Sequence, residues 1–322
     1  MSIRVTFDSD ESTTGFAAKH GLPTPTGNSL DVNFHLLEQA TKDATVSVVA
    51  QTDETEHEFL VKGTQSAIEV HATVVSDMGR GWFKVTSTAG AELAKVVDAI
   101  DINSQPIDYL AVSSIANTEV TNSELDPLSA EGQWARIRVA SKYRPLMTSY
   151  SMHDMTAVSK PELYIMDSGI DFTHPEFDSA SLVKEDFYTL PAFNGDYTDQ
   201  IGHGTAVAAM AVGKNLGITT HCTLRNVKIG GIVDGTAYNA NLIEVSEAID
   251  AILAEVTANP NKTRIVNMSF GMARSSFLDD RVQGLINAGV SVICAAGNSG
   301  QDVENVSPAG INDCITVGSS DK

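Results

Sequence analysis

The sequence predicts a doubly wound α/β domain with a mainly parallel sheet, preceded by a smaller α+β domain. Three observations predict it. Beyond about residue 130, short runs rich in β-branched residues are apolar at nearly every position, as strands covered on both faces are. Between those runs, apolar residues recur at intervals of three and four, which places them along one helical face. In the first third, apolar and polar residues instead alternate, the period of half-buried strands.

The first 40 residues are polar and Ser/Thr-rich, and no element is predicted there. From Ala44 the texture changes. Val46, Val48 and Ala50 alternate, Phe59-Leu60-Val61 follows, and Ile68, Val70, Ala72 and Val74 alternate with Glu69, His71 and Thr73, so strands are expected at each. Trp82 to Val85 reads as a further strand, and Leu93, Val96, Val97 and Ile100 fall on one face of a predicted helix. This α+β domain is placed at residues 1–116. Residues 117–130 (NTEVTNSELDPLSA) are polar, acidic and contain a Pro, the composition of a linker that few contacts cross. The second domain takes residues 131–322. Its strands are expected at Leu163 to Met166, Leu224 to Ile229, Ile265 to Met268, Val290 to Ala295 and Cys314 to Val317. Helices are expected over Leu242 to Val256 and Leu278 to Ile286.

Composition narrows the function. With 21 Lys+Arg against 41 Asp+Glu the chain carries a formal charge of −20, which argues against nucleic-acid binding, since neutralising phosphate needs a cationic face. No uninterrupted apolar stretch approaches the roughly 20 residues needed to cross a bilayer, so no membrane partner is expected. Cys222, Cys294 and Cys314 cannot all pair within one chain, and no disulfide framework is predicted. The N-terminus lacks the apolar core of a secretory signal, and a cytoplasmic or particle-associated setting is the default expectation.

In open α/β sheets functional groups gather at the carboxyl ends of strands. Asp167-Ser168-Gly169 follows Met166; Gly202-His203-Gly204-Thr205 opens a small-residue helix; Ser269-Phe270-Gly271 follows Met268; and Ala295-Ala296-Gly297-Asn298 ends another strand. Singly, each has a bland reading as turn former, surface loop or helix cap. Together, a buried acid, a His heading a helix and an amide donor are the parts of an acyl-transfer site.

These stretches resemble the subtilisin-like serine proteases, and among them the proteinase K-like branch. The resemblance runs through Tyr164 to Phe177, Ile201 to Gly213, Ile265 to Gly271, Val292 to Gly300, Ser307 to Gly310 and Cys314 to Lys322, with QWARIRV (Gln133 to Val139) similar to the start of the mature domain. It implies a serine endopeptidase acting on polypeptide substrates, with Asp167 as the acid, His203 as the base and Asn298 as an oxyanion donor. It also implies that Ser269-Phe270-Gly271 pairs with extended substrate, and that Gly235-Thr236-Ala237 lies on the opposite substrate-binding edge. His174 is assigned to structure. No cofactor and no catalytic metal are expected; members of the family often hold structural calcium, and the acidic loops of this chain offer oxygen ligands for it.

One departure dominates. The family's nucleophile lies in a Gly-Thr-Ser-x-Ala turn, and here Gly63-Thr64 precedes Gln while Gly204-Thr205 and Gly235-Thr236 precede Ala. The resemblance then implies a peptidase domain incomplete at its C-terminus, and the chain alone is expected to be inactive. Three arrangements account for this: a fragment or cleaved product of a longer protease, a partner polypeptide that carries the nucleophile, or a pseudoprotease kept as a structural (for example virion) or peptide-binding protein. Ala206 replaces a second histidine common in the family, a change expected to affect packing. The N-terminal domain is either propeptide-like or an unrelated accessory domain.

Overall fold

The computed structural model describes residues 3–6, 10–20, 22, 25, 27, 29–32, 57–88, 93, 96–102, 136–137 and 159–319. The expected linker at 117–130, the strand at 46–50 and most of 133–139 lie outside the described residues. Contacts group the chain into two units, Met1–Gln105 with Arg274–Asp280, and Pro106–Ala273 with Arg281–Lys322.

In the first unit, β1 (Ile3–Thr6) and β2 (Ser29–Val32) pair antiparallel, with helix α1 (Asp10–Lys19) between them in sequence. Sequence reasoning assigned nothing to this stretch. A four-stranded antiparallel sheet runs in the order β4-β5-β3-β6, from β3 (His57–Lys62), β4 (Thr73–Gly79), β5 (Trp82–Ser87) and β6 (Ala99–Ile102). Alternation puts Phe59 opposite Val85 and Val61 opposite Phe83 and Ile100, and these residues pack with Phe16, Ile68 and Leu93 into one core. On the other face Trp82, fully buried, meets Phe277 edge to face at 5.0 Å between ring centroids.

Two expectations are corrected here. The alternating run from Ile68 to Val74 is not one strand: α2 (Gln65–Ile68) and a turn precede β4. Ile68 belongs to the core while Val70 is 72% exposed, so the alternation there reports a helical turn and a loop. The helix expected through Ile100 also fails, since Leu93 is helical but Val96 to Asp98 turn and Ile100 lies in β6. Cross-strand pairing with Val61 claimed a residue whose local spacing was equally compatible with a helix.

The second unit is built on six parallel strands in the order β16-β14-β12-β7-β9-β8. They are β7 (Glu162–Asp167), β8 (Val183–Thr189), β9 (Thr223–Lys228), β12 (Arg264–Met268), β14 (Ser291–Ala295) and β16 (Ile315–Val317). The helices are α3 (His203–Val212), α4 (Leu242–Ala258) and α5 (Ser276–Asn287), the last beginning within the segment grouped with the first unit. Two short antiparallel ladders, β10 (Gly230–Val233) with β11 (Thr236–Asn239) and β13 (Met272–Ala273) with β15 (Val306–Ser307), complete it. The fold is thus the doubly wound α/β arrangement the sequence predicts, and the five expected strands and two expected helices are present.

Along β7, Ile165 packs in one cluster with Ala208, Ala209 and Val212 of α3 and with Leu224 of β9, while its neighbours Tyr164 and Met166 are fully buried. Among the described residues no helix is long and apolar enough to cross a membrane, and no disulfide joins Cys222, Cys294 and Cys314.

At the amino ends of the strands a buried ion cluster ties three segments together. The Glu162 carboxylate, 3% exposed, accepts from Arg264 Nε at 2.8 Å, Arg225 Nη2 at 2.8 Å and Lys262 Nζ at 2.7 Å. Burial alone would raise the Glu162 carboxyl, but Lys262 and Arg225 outweigh it and hold it below its ordinary value. Stability from this group is therefore present above the ordinary carboxylate range and lost as pH falls through the depressed value. Glu162→Ala leaves the buried Arg264 cation without its carboxylate and should cost about 3–5 kcal/mol. The urea midpoint of unfolding checks it, and a shift equivalent to less than about 1 kcal/mol would show the cluster to be dispensable.

Candidate active site

Strand order fixes where a site belongs. From β7 the chain runs to the edge strand β8 and returns to β9 beside β7, then crosses to β12 on the other side, so the two directions of winding part at β7. Ligand crevices in such sheets open beyond the carboxyl ends of the strands at that point. The last residue of β7 is Asp167, with no exposed surface. The first residue of α3 is His203, 9% exposed.

Their side chains meet: His203 Nδ1 lies 2.6 Å from Asp167 Oδ1. That oxygen also accepts from the Ser168 amide at 2.7 Å. With Asp167 ionised the carboxylate can only accept, so the proton between the two side chains sits on Nδ1 and the lone pair of the neutral ring on Nε2. Burial raises the Asp167 carboxyl above its ordinary value, against the opposing effect of the His203 contact. Burial also pulls His203 down, but the hydrogen bond and charge of Asp167, with Asp199 adding to them, hold the imidazole above its ordinary 6.5.

The close approach of strand end and helix depends on glycine. A Cβ on Gly204 would lie 2.2 Å from the Gly169 carbonyl oxygen and 3.1 Å from Asp167 Cβ. Gly169 itself has φ +104°, and a Cβ there would lie 2.7 Å from the Tyr197 carbonyl oxygen. These two positions let α3 seat its first turn directly against the acid.

Three residues that sequence reasoning passed over build the rest. Ser168 Oγ accepts from the Gly204 amide at 2.9 Å and donates to Asp199 Oδ1 at 2.8 Å. Asp199 also takes the amides of Ile201, Gly202 and Thr205 and the Thr205 hydroxyl. Lys228, fully buried at the end of β9 and paired in register with Asp167, donates to the Thr198 carbonyl at 2.7 Å. The available signal was a polar residue inside an otherwise apolar strand (Lys228) and an Asp just ahead of a helix start (Asp199).

The other candidates lie on the same edge of the sheet. Met268 pairs in register with Met166 and with Cys294, so Ser269 emerges beside Asp167 and Ala295 one strand further along the same edge. Ser269 is half-buried and accepts from Asn267 Nδ2 at 2.8 Å, whereas Phe270 is fully buried and Gly271 buried. Asn298 is exposed in the bend three residues beyond β14. Gly235, φ +77°, occupies the exposed turn between β10 and β11. The structure therefore brings Asp167 and His203 into contact and leaves Asn298, Ser269 to Gly271 and Gly235 on surrounding loops. His174, outside the pair, accepts the Glu176 amide through Nδ1 at 3.3 Å and caps a short 3-10 turn. Among the described residues no group of three or more His, Cys, Asp or Glu is arranged to hold a metal ion.

Residues 159–322 match the subtilase family of peptidases (peptidase S8). The chain belongs to that family. It is 27% identical over 220 residues to a cuticle-degrading serine protease of Arthrobotrys oligospora, covering 68% of this chain and 50% of that one. It is 32% identical over 232 residues to alkaline serine exoprotease A of Vibrio alginolyticus, covering 68% of this chain and 39% of that protein. The chain thus spans half or less of the length of these two relatives. Among solved structures it is similar to a cold-adapted subtilisin-like serine proteinase, at 28% identity and a TM-score of 0.48, over 58% of this chain and 64% of that one. Within this subtilase the Gly-Thr-Ser-x-Ala segment is absent from all 322 residues.

Proposed function

We propose that this subtilase chain carries the acid and base of a serine endopeptidase site, and that the nucleophile is supplied by a segment outside these 322 residues or by a second polypeptide. The observation that carries the proposal is the 2.6 Å contact between His203 Nδ1 and the buried Asp167 carboxylate at the carboxyl end of β7. Asp167 fixes the tautomer, and His203 Nε2 accepts the serine hydroxyl proton as Oγ forms its bond to the peptide carbonyl carbon. Asn298 donates to the oxyanion. His203 then returns the proton to the departing amine as the C–N bond breaks, and water repeats the sequence on the acyl-enzyme.

The substrate is an extended polypeptide, which adds as a strand along the backbone of Ser269 to Gly271. Exposed apolar side chains on the edge strand β16 (Ile315 at 55% and Val317 at 51%) and on α3 (Met210 at 49%) support a covering segment that brings the nucleophile. Under this reading residues 1–116 form a propeptide-like domain. The absence of a Gly-Thr-Ser turn favours a second reading, a pseudoprotease with a structural or peptide-binding role.

Casein hydrolysis separates the two. This chain alone should release no peptides. The same chain extended or complemented by a segment containing Gly-Thr-Ser-x-Ala should hydrolyse casein, with an acidic limb lying above the ordinary histidine value because Asp167 and Asp199 favour the charged imidazole. A folded, complemented form that cleaves nothing would support the pseudoprotease.

A further inference from the structure

We infer that Asp199 is the positioning residue for His203, a second carboxylate that locks the first turn of α3 onto the strand end bearing Asp167. The inference deepens the reading of His203 as the base and rests on it.

Every helix leaves the backbone donors of its first turn without a partner inside the helix. Gly202, at the N-cap of α3, offers no side-chain cap. The amides of the first turn are instead taken from outside the helix: Gly204 N by Ser168 Oγ, and Thr205 N by Asp199 Oδ2 at 2.9 Å. The two caps are joined, because Ser168 Oγ donates to Asp199 Oδ1. The same Oδ1 accepts Ile201 N at 3.0 Å and Gly202 N at 2.8 Å, and Oδ2 accepts the Thr205 hydroxyl at 2.7 Å. Asp199 thus accepts five hydrogen bonds, which span the residue after Asp167, the two residues before His203 and the residue two beyond it.

A carboxylate is suited to this task because both of its oxygens only accept. An amide of the same shape would turn an N–H toward the Thr205 amide or the Ser168 hydroxyl. The loop that carries Asp199 is itself fastened, since Lys228 donates to the Thr198 carbonyl and Asp196 accepts the Thr198 amide and hydroxyl. Among the described residues, the charged groups that act on His203 include Asp167 on β7 and Asp199 on the loop. Lys228 on β9 engages the far side of that loop, and the Asp171 carboxylate is turned to Thr173.

The test needs no nucleophile. In the 15N-labelled 322-residue chain, the His203 Nδ1 proton, identified by its loss in His203→Gln, should exchange slowly and resonate far downfield. Asp199→Asn should broaden or abolish that resonance and move the His203 titration to lower pH, whereas Asp196→Asn in the same loop should change neither. If Asp199→Asn lowers Tm but leaves the resonance and titration unchanged, or if Asp196→Asn shifts both equally, Asp199 is an ordinary structural cap and the inference is overturned. Should Asp199→Asn fail to fold, Ser168→Ala decides. It breaks the link between Asp199 and Gly204 and should speed exchange of the Nδ1 proton, and unchanged exchange overturns the inference. Failure of the complemented chain to cleave casein would reject the proposed function while leaving this coupling intact.

Discussion

Replacing His203 with Ala in a form that carries the nucleophile should lower kcat on the order of a million-fold, the loss belonging to subtilisin's own histidine. The reason lies in the contact at the end of β7. Without the imidazole no group accepts the serine proton, and the buried Asp167 loses the partner at 2.6 Å that favours its ionised form. Because the triad acts as a unit, adding Asp167→Ala to His203→Ala should cost little more. His174→Ala is the control. His174 caps a short 3-10 turn through the Glu176 amide, so its loss should cost about 0.5–2 kcal/mol of stability and leave kcat unchanged. Steady-state kinetics on the two variants check the assignment. Abolished turnover in a folded His174→Ala variant, with turnover retained in His203→Ala, would reverse it.

The second large effect is expected at Asn298. It stands exposed beyond β14, at the edge of the sheet where Asp167 and Ser269 also emerge. In the proposed role of oxyanion donor it would act only when charge develops on the carbonyl oxygen. Asn298→Ala should therefore lower kcat by about 100- to 1,000-fold with KM nearly unchanged. Being exposed, it should change stability by less than about 0.5 kcal/mol. A raised KM at constant kcat would instead make Asn298 a contact for the bound substrate.

What the sequence revealed, and what it hid, follows from how each residue is partnered. Strands β7, β9, β12, β14 and β16 announce themselves through local apolar runs, and α4 through a stripe that buries Val245, Ile249, Ile252 and Val256. β8 (VKEDFYT) gives no such signal because it is an edge strand with largely solvated side chains. In the first unit, periodicity over Leu93 to Ile100 matched a helix, yet Ile100 is held by pairing with Val61, a partner 39 residues away. The acid and base were legible because their motifs are local. Asp199, Ser168 and Lys228 were not, since their roles come from hydrogen bonds between segments about 30 residues apart. Glu162 was hidden for the same reason, its partners lying on β9, on β12 and just before β12.

Under the proposed function the acid and base lie within these 322 residues and the nucleophile outside them. Labelling with a fluorophosphonate, followed by mass-spectrometric mapping of the modified residue, tests it most directly. The 322-residue chain should take up no label, and a nucleophile-bearing form should be labelled once, on the serine of its Gly-Thr-Ser-x-Ala segment, in a reaction that His203→Ala removes. A label on any serine within these 322 residues, Ser168 or Ser319 included, would contradict the account.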